Sequence, residues 1–285
     1  MSDPIYLDYN ATTPVAPEVL EAMLPWLREQ FGNASSSHAF GKRAAAAVAH
    51  AREQVADMIG AHADEIVFTG CATESNNVAV LGVAGAQDRT ASPAPVGARS
   101  AAKRHIVISA IEHPAVMAPA ISLRERGWRV TIVPVDVTGR IQIERLEEAL
   151  GSDTALVSVM HAGAPAHLNL QMLAMRDRLH ARLTAAIPGL LLNGHLDERL
   201  PNTLHVSFPG VSGRTLLSDA ADIVAASVGS ACHSEYDAVS GVLAAMGFDA
   251  ARAAGAVRLS VGRMTTEEEI DRAADGLVAS WRRIG

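Results

Sequence analysis

Lysine is almost missing from this chain. Among 285 residues only Lys42 and Lys103 carry an ε-amine. Chemistry that needs a lysine for a covalent bond to a carbonyl therefore has two places to happen. Cysteine is as scarce, with Cys71 and Cys232 far apart. Two distant thiols imply no disulfide framework and fit a reducing, cytoplasmic setting. There is no basic excess: the net charge of −7 argues against a nucleic-acid-binding surface. No apolar run is long enough to span a bilayer. Met1-Ser2-Asp3-Pro4 lacks the basic start and apolar run of a secretory signal. The histidines lack paired metal spacing, and Gly210-Val211-Ser212-Gly213 is not a nucleophile elbow. What remains is a soluble globular chain, 49% hydrophobic and 19% charged, long enough to bury a core in one large or two ordinary domains.

What is present reads as alternating strands and helices. Ile5–Tyr9 is extended, and Asn10-Ala11-Thr12-Thr13-Pro14 turns. Pro17 opens a helix with Val19, Met23 and Leu27 on one face. A polar loop, residues 31–38, precedes a helix over 39–59 whose apolar residues Phe40, Ala44, Ala47, Ala51, Val55 and Met58 recur at helical spacing. Ile66–Thr69 is expected as a strand. It ends at Gly70-Cys71-Ala72-Thr73, which opens another helix; small residues, a hydroxyl and a helix start suit an anion. Residues 87–104 read as a surface loop. Strands near 105–109, 130–135 and 155–160 alternate with helices 115–126 and 143–150, the pattern of a parallel sheet.

After Met160-His161 the rhythm breaks. A short linker leads into a helix through Leu168, Met172, Met175, Leu179 and Leu183. Strands near 190–192, 203–208 and 257–261 follow, Ile223-Val224-Ala225-Ala226 leads to the cysteine stretch, and Thr266 to Glu269 is a capping box starting a last amphipathic helix. Residues 168–285 are thus expected as a small α/β domain. Inside it, Gly229-Ser230-Ala231-Cys232-His233-Ser234 surrounds one thiol with small residues and a histidine. That leaves the thiol freedom to move and attack, although a lone cysteine in a tight turn is also commonly just buried.

These pieces resemble a family in series. Tyr6-Leu-Asp-Tyr-Asn-Ala-Thr-Thr-Pro14, Phe31-Gly-Asn33, Ile66-Val-Phe-Thr69 with Ala72-Thr-Glu-Ser-Asn76, and Glu112-His113 are similar to the cysteine desulfurases. So are Ser158-Val-Met-His161, Pro201-Asn-Thr203, Gly229 to Ser234 and Arg258-Leu-Ser-Val-Gly-Arg263. The closely related selenocysteine lyases share this class V aminotransferase fold and pyridoxal phosphate. The resemblance implies an α/β protein with an internally truncated large cofactor domain (1–161) and a small C-terminal domain (168–285) carrying the cysteine loop. It implies that Ala72 and Thr73 hold the cofactor phosphate, that His113 stacks on its ring, and that Arg258 clamps the substrate carboxylate. Asn33 and Thr12 would line the substrate site. Cys232 would take sulfur from cysteine, or selenium from selenocysteine, as a persulfide for an acceptor protein, as in iron–sulfur cluster assembly. A homodimer is implied, with no metal, nucleic acid or membrane.

The chain departs from that family at one place. The family's segment after the Met-His pair supplies an aspartate for the pyridine nitrogen, a glutamine and the Schiff-base lysine. Here Ala162-Gly163-Ala164-Pro165 leads almost directly to the next helix, and neither Lys42 nor Lys103 matches the lost position. Cys71 stands where the family has glycine, a change read as a harmless small-residue swap. Two readings follow: a desulfurase by descent, or a non-catalytic partner that keeps the family's surfaces.

Overall fold

A computed structural model describes residues 3–90, 103–160, 166–229 and 240–285. In chain order its elements are β1 (Ile5–Tyr6), α1 (Pro17–Arg28), α2 (Ala39–Ile59), α3 (Ala72–Thr90), β2 (His105–Ser109) and α4 (Pro114–Glu125). Next come β3 (Arg129–Val133), α5 (Ile143–Ala149), β4 (Thr154–Ser158), α6 (Ala166–Ala186), β5 (Leu191–Leu192) and β6 (Thr203–Ser207). The chain closes with α7 (Gly213–Asp219), β7 (Val224–Ala225), α8 (Gly241–Ala245), α9 (Ala250–Ala254), β8 (Ala256–Ser260) and α10 (Glu267–Ile284).

The expected parallel sheet forms in the order β3-β2-β4, with both pairings parallel. Its centre is β2, buried at all five positions. Ile106 and Ile108 pack with Val80 and Ala84 of α3, Val116 and Leu123 of α4, and Trp128. One polar side chain is built into this strand. His105 is fully buried, its ring nitrogens on the hydroxyls of Thr154 (2.9 Å) and Thr131 (2.8 Å) in the flanking strands. β4, by contrast, has no buried residue, because nothing described pairs with its outer edge.

The second sheet, β5-β6-β8, is antiparallel. Alternation along β6 sends Leu204, Val206 and Phe208 into a core with Leu179 and Leu183 of α6 and with Ile270, Ala274 and Leu277 of α10. Thr203, His205 and Ser207 take the opposite face. The capping box starts α10 as expected: the Thr266 hydroxyl accepts from the Glu269 N–H, and the Glu269 carboxylate accepts from the Thr266 N–H. The N-terminal segment joins this half of the chain. β1 pairs in parallel with β7, and Ile5 and Leu7 lie in the α6–α10 core.

Two expectations fail. Ile66–Thr69 is not a strand, since no described strand completes its ladder, and Val67 and Phe68 are exposed. The loop expected over 87–104 starts later, because α3 runs on to Thr90. By its contacts the chain divides into Pro14–Ser75 as one compact unit and Met1–Thr13 with Asn76–Gly285 as the other. In Pro14–Ser75 only Gly41 and Ala56 are buried, so the apolar faces expected on α1 and α2 are formed but uncovered within the described chain.

Candidate functional site

The polar face of the second sheet gathers the chain's best-placed charged groups. Register sets His205 of β6 opposite Arg258 of β8 and Thr203 opposite Ser260. Directly opposed residues share a face, so the imidazole and the guanidinium are neighbours. Residues 7–10 run along the end of β8: the Ser260 N–H donates to the Leu7 carbonyl (2.7 Å), and the Asn10 N–H to the Ser260 hydroxyl (3.0 Å). The Asn10 amide also donates to Thr203 Oγ1 at 2.8 Å. Gly262 makes room for this strap, since a Cβ there would lie 2.2 Å from the Tyr9 ring. The strap delivers Asp8, whose Oδ1 accepts from Arg258 Nη2 at 2.9 Å. Both side chains are largely covered, at 21% and 23% exposure. Arg258 Nε and His205 Nε2 are buried without hydrogen-bond partners among the described residues. Burial, and then the Arg258 charge, push the His205 imidazole down to about 4, so it is neutral at pH 7.

Arg258 thus presents a guanidinium already held by one carboxylate, a geometry with donors left for a second. Its backbone also fixes the start of the cysteine stretch. The Arg258 N–H donates to the Ser227 carbonyl at 2.7 Å, and the Gly229 N–H to the Ser227 hydroxyl at 3.1 Å. Gly229 has φ +87°, a left-handed conformation that favours glycine. Cys232 itself lies outside the described residues. Thr12 is exposed, and its carbonyl accepts from the Tyr6 hydroxyl at 3.1 Å.

His113 stands beyond the C-terminal end of β2, the edge where parallel sheets present their ligands. It caps α4: Nδ1 accepts from the Ala115 N–H at 3.1 Å, which fixes the ring while leaving it exposed. Glu112 ties the same edge together, its Oε1 accepting from Ser109 Oγ (2.7 Å) and from the Met160 N–H (2.6 Å). Asn33, Ala72 and Thr73 belong to the Pro14–Ser75 unit. The Asn33 side chain accepts from the Ser35 N–H at 2.9 Å. Gly41 lets that loop lie against α2, where a Cβ would meet the Ser36 carbonyl at 2.2 Å. Ala72 and Thr73 open α3, whose first-turn N–H groups have no carbonyl within the helix to bond. Just before them the Gly70 N–H is taken by the Glu74 carboxylate at 2.7 Å. Cys71 is exposed beside this turn. Sequence reasoning missed Asp8 and His205. Asp8 lies inside a family motif, but its pairing is a tertiary fact. His205 gives no signal beyond being one polar position on an alternating strand.

The class V aminotransferase family model matches residues 5–164. A protein named cysteine desulfurase IscS from Anaeromyxobacter sp. (strain Fw109-5) is 33% identical, over all of this chain and 94% of its own. This chain belongs to the cysteine desulfurase family. Membership holds across the whole length, since a second relative, cysteine desulfurase 2 of Trichormus variabilis, is 33% identical over 94% of this chain. A solved structure titled NifS-like protein superposes with a TM-score of 0.81 at 26% identity, covering 97% of this chain and 98% of that one. The first alignment spans 392 positions against 285 residues here, so that relative carries positions without a counterpart. The family-model match ends at 164, within the linker where the central segment is lacking.

Family membership implies pyridoxal phosphate, and the residues present fit it only in part. The α3 start suits a phosphate and the exposed His113 ring suits a planar ring. A covalent link from Lys103 does not fit. Lys103 lies at the entrance end of β2 and His113 beyond its exit, while β2 alone measures about 13 Å at ~3.3 Å per residue. A lysine side chain spans less than half of that. Lys42 sits in the first turn of α2 with an exposed side chain.

Proposed function

We propose that this chain handles cysteine sulfur as a desulfurase relative but does not turn over alone. The observation that carries this is the coexistence of Arg258, seated by Asp8 with donors to spare, with the lack of a lysine at the exit edge of β2. In this reading Arg258 binds the carboxylate of cysteine, or of selenocysteine, with Asn33 and Thr12 beside the substrate. Ala72 and Thr73 take the cofactor phosphate and His113 the ring face. Cys232 is the acceptor thiol. The balance is closed without an oxidant: the carbon–sulfur bond of cysteine breaks, a sulfur–sulfur bond forms on Cys232, and the carbon takes up a proton. Cysteine plus thiol thus gives alanine plus persulfide. The persulfide then passes to an acceptor protein in a reducing, cytoplasmic compartment. The division 1–161 and 168–285 is the arrangement this reading assigns to the cofactor-binding and cysteine-bearing parts.

The test is sulfide and persulfide formation from L-cysteine with pyridoxal phosphate added. The chain alone is expected to match the protein-free blank. The chain with the central segment restored is expected to form persulfide on Cys232 and to lose it in Cys232→Ala. Turnover by the chain alone, or persulfide that maps to Cys71, would overturn the assignment.

A second reading, a non-catalytic partner, rests on a separate observation. Val19, Leu20, Met23, Trp26 and Leu27 are all exposed on α1. A unit with so little buried gains stability only by covering that surface, which suits pairing with a second copy or a full-length relative.

A further inference from the structure

We infer that a pocket between α6 and the segment 195–200 binds the carboxylate of a small monoanionic ligand on Arg199, apart from the cysteine chemistry. The pocket has a volume of about 600 Å³, and every residue lining it belongs to the Asn76–Gly285 part of the chain. Two arginines lie in its wall and differ in how they are satisfied. Arg176 of α6 is 4% exposed and uses all three nitrogens. Its Nη1 donates to the Leu200 carbonyl at 2.9 Å, and its Nε and Nη2 donate to Asp177 Oδ1 at 2.9 and 2.7 Å. The Arg199 side chain is 12% exposed, yet its Nε and Nη1 have no hydrogen-bond partner among the described residues. Its Nη2 reaches Asp177 only at 3.8 Å, an ion contact longer than a hydrogen bond. Arg176 already holds that carboxylate oxygen, so Arg199 gains it only by breaking a formed pair. A covered guanidinium short of acceptors is costly, and a ligand oxygen removes that cost. The segment keeps Arg199 in place. The Asp197 and Glu198 N–H groups donate to His195 Nδ1 at 3.1 and 2.8 Å, and the Arg199 N–H donates to the Asp197 carbonyl at 2.9 Å. A rotamer change, common on binding, turns the covered nitrogens toward the ligand. Charge then selects the ligand. Arg176 and Arg199 are balanced by Asp177 and Asp197 in the same wall. Burial, and then the Arg199 charge, push His180 below its ordinary value, so it adds no charge at pH 7. A balanced pocket admits one negative charge more readily than two, which favours a carboxylate over a dianion. Ala181, Ala185 and Leu196 offer apolar contact to the ligand's carbon body.

The experiment titrates the purified chain with propionate at pH 7 and follows the His180 ring by NMR, its resonance identified by its loss in His180→Gln. A saturable shift is expected. Bound propionate should also raise the pH at which His180 titrates, because an added negative charge favours the imidazolium among the charges it faces, Arg176, Asp177, Asp197 and Arg199. Arg199→Met should weaken binding about tenfold or more, the worth of one charged hydrogen bond. Ala181→Phe, on an exposed part of the wall, should weaken it about as much by filling the pocket, and serves where Arg199→Met does not fold. Sulfate, a dianion, should bind at least about threefold more weakly than propionate. Arg258→Ala should leave propionate binding at His180 unchanged. No saturable shift at His180 overturns the inference. So does an unchanged constant in Arg199→Met or Ala181→Phe, tighter binding of sulfate than of propionate, or a His180 shift that disappears in Arg258→Ala.

Discussion

His205 and Arg258 face each other across β6 and β8, and burial, with the Arg258 charge second, keeps the histidine neutral. The imidazole is pushed from its ordinary 6.5 to about 4. A group whose folded value lies below its unfolded one supports the fold fully above pH 6.5 and loses that support as pH falls toward 4. From pH 7 to pH 5 this single site costs about 2 kcal/mol, at ~1.4 kcal/mol for each tenfold change in proton affinity. His205→Asn is therefore expected to be less acid-sensitive than the wild type by that margin, read as urea midpoints at the two pH values. Equal acid sensitivity would show that the imidazole is not held neutral. Asp8 is the counterpart. Removing it strands a largely covered guanidinium, so Asp8→Ala should cost about 1–3 kcal/mol. In the same molecule with Arg258→Ala the cost should shrink, because the pair is then already broken. Neither residue stands out in the sequence. Asp8 is one letter of a motif and His205 one polar position on an alternating strand; only register and the N-terminal strap make them neighbours.

Helices were the most legible elements. The apolar spacing of 39–59, the proline at the start of α1 and the Thr266 to Glu269 box all mark real helices, since the signals are local. Thr266→Ala should accordingly cost about 1 kcal/mol, measured by thermal unfolding. Strands were legible only where a neighbour exists. His105–Ser109 forms between β3 and β4, while Ile66–Thr69, as apolar in sequence, finds no ladder. Amide exchange should separate these cases. β2 amides should be among the slowest, and residues 66–69 should exchange with loop-like rates; protection at 66–69 matching that of β2 would contradict the strand pairings described. Gly262 belongs to this scale as well, because it joins the strap to β8. Gly262→Ala should destabilise by about 1–3 kcal/mol through collision with Tyr9, and Tyr9→Ala should relieve most of that.

At the scale of the molecule, the two compact units differ in how much they bury. The α6–α10 core buries Leu179, Leu183, Leu204, Val206, Phe208 and Leu277, whereas Pro14–Ser75 buries little. Limited proteolysis is expected to cut within Pro14–Ser75 first and to spare α6 and α10. If that surface is the one used for pairing, Met23→Asp with Leu27→Asp on α1 should shift the chain to monomer in light scattering. An unchanged mass in a dimeric wild type would place the interface elsewhere. The sequence by itself determined the family, the helices with their caps, the scarcity of lysine and so the misfit to a covalently held cofactor. All of these are properties of composition and of residues close along the chain. Tertiary structure alone decided that Asp8 seats Arg258, that His205 is neutral beside it, that β4 has no partner on its outer side among the described residues and that Ile66–Thr69 is not a strand. Each of those depends on a partner far away in sequence, and local spacing carries no information about whether that partner arrives.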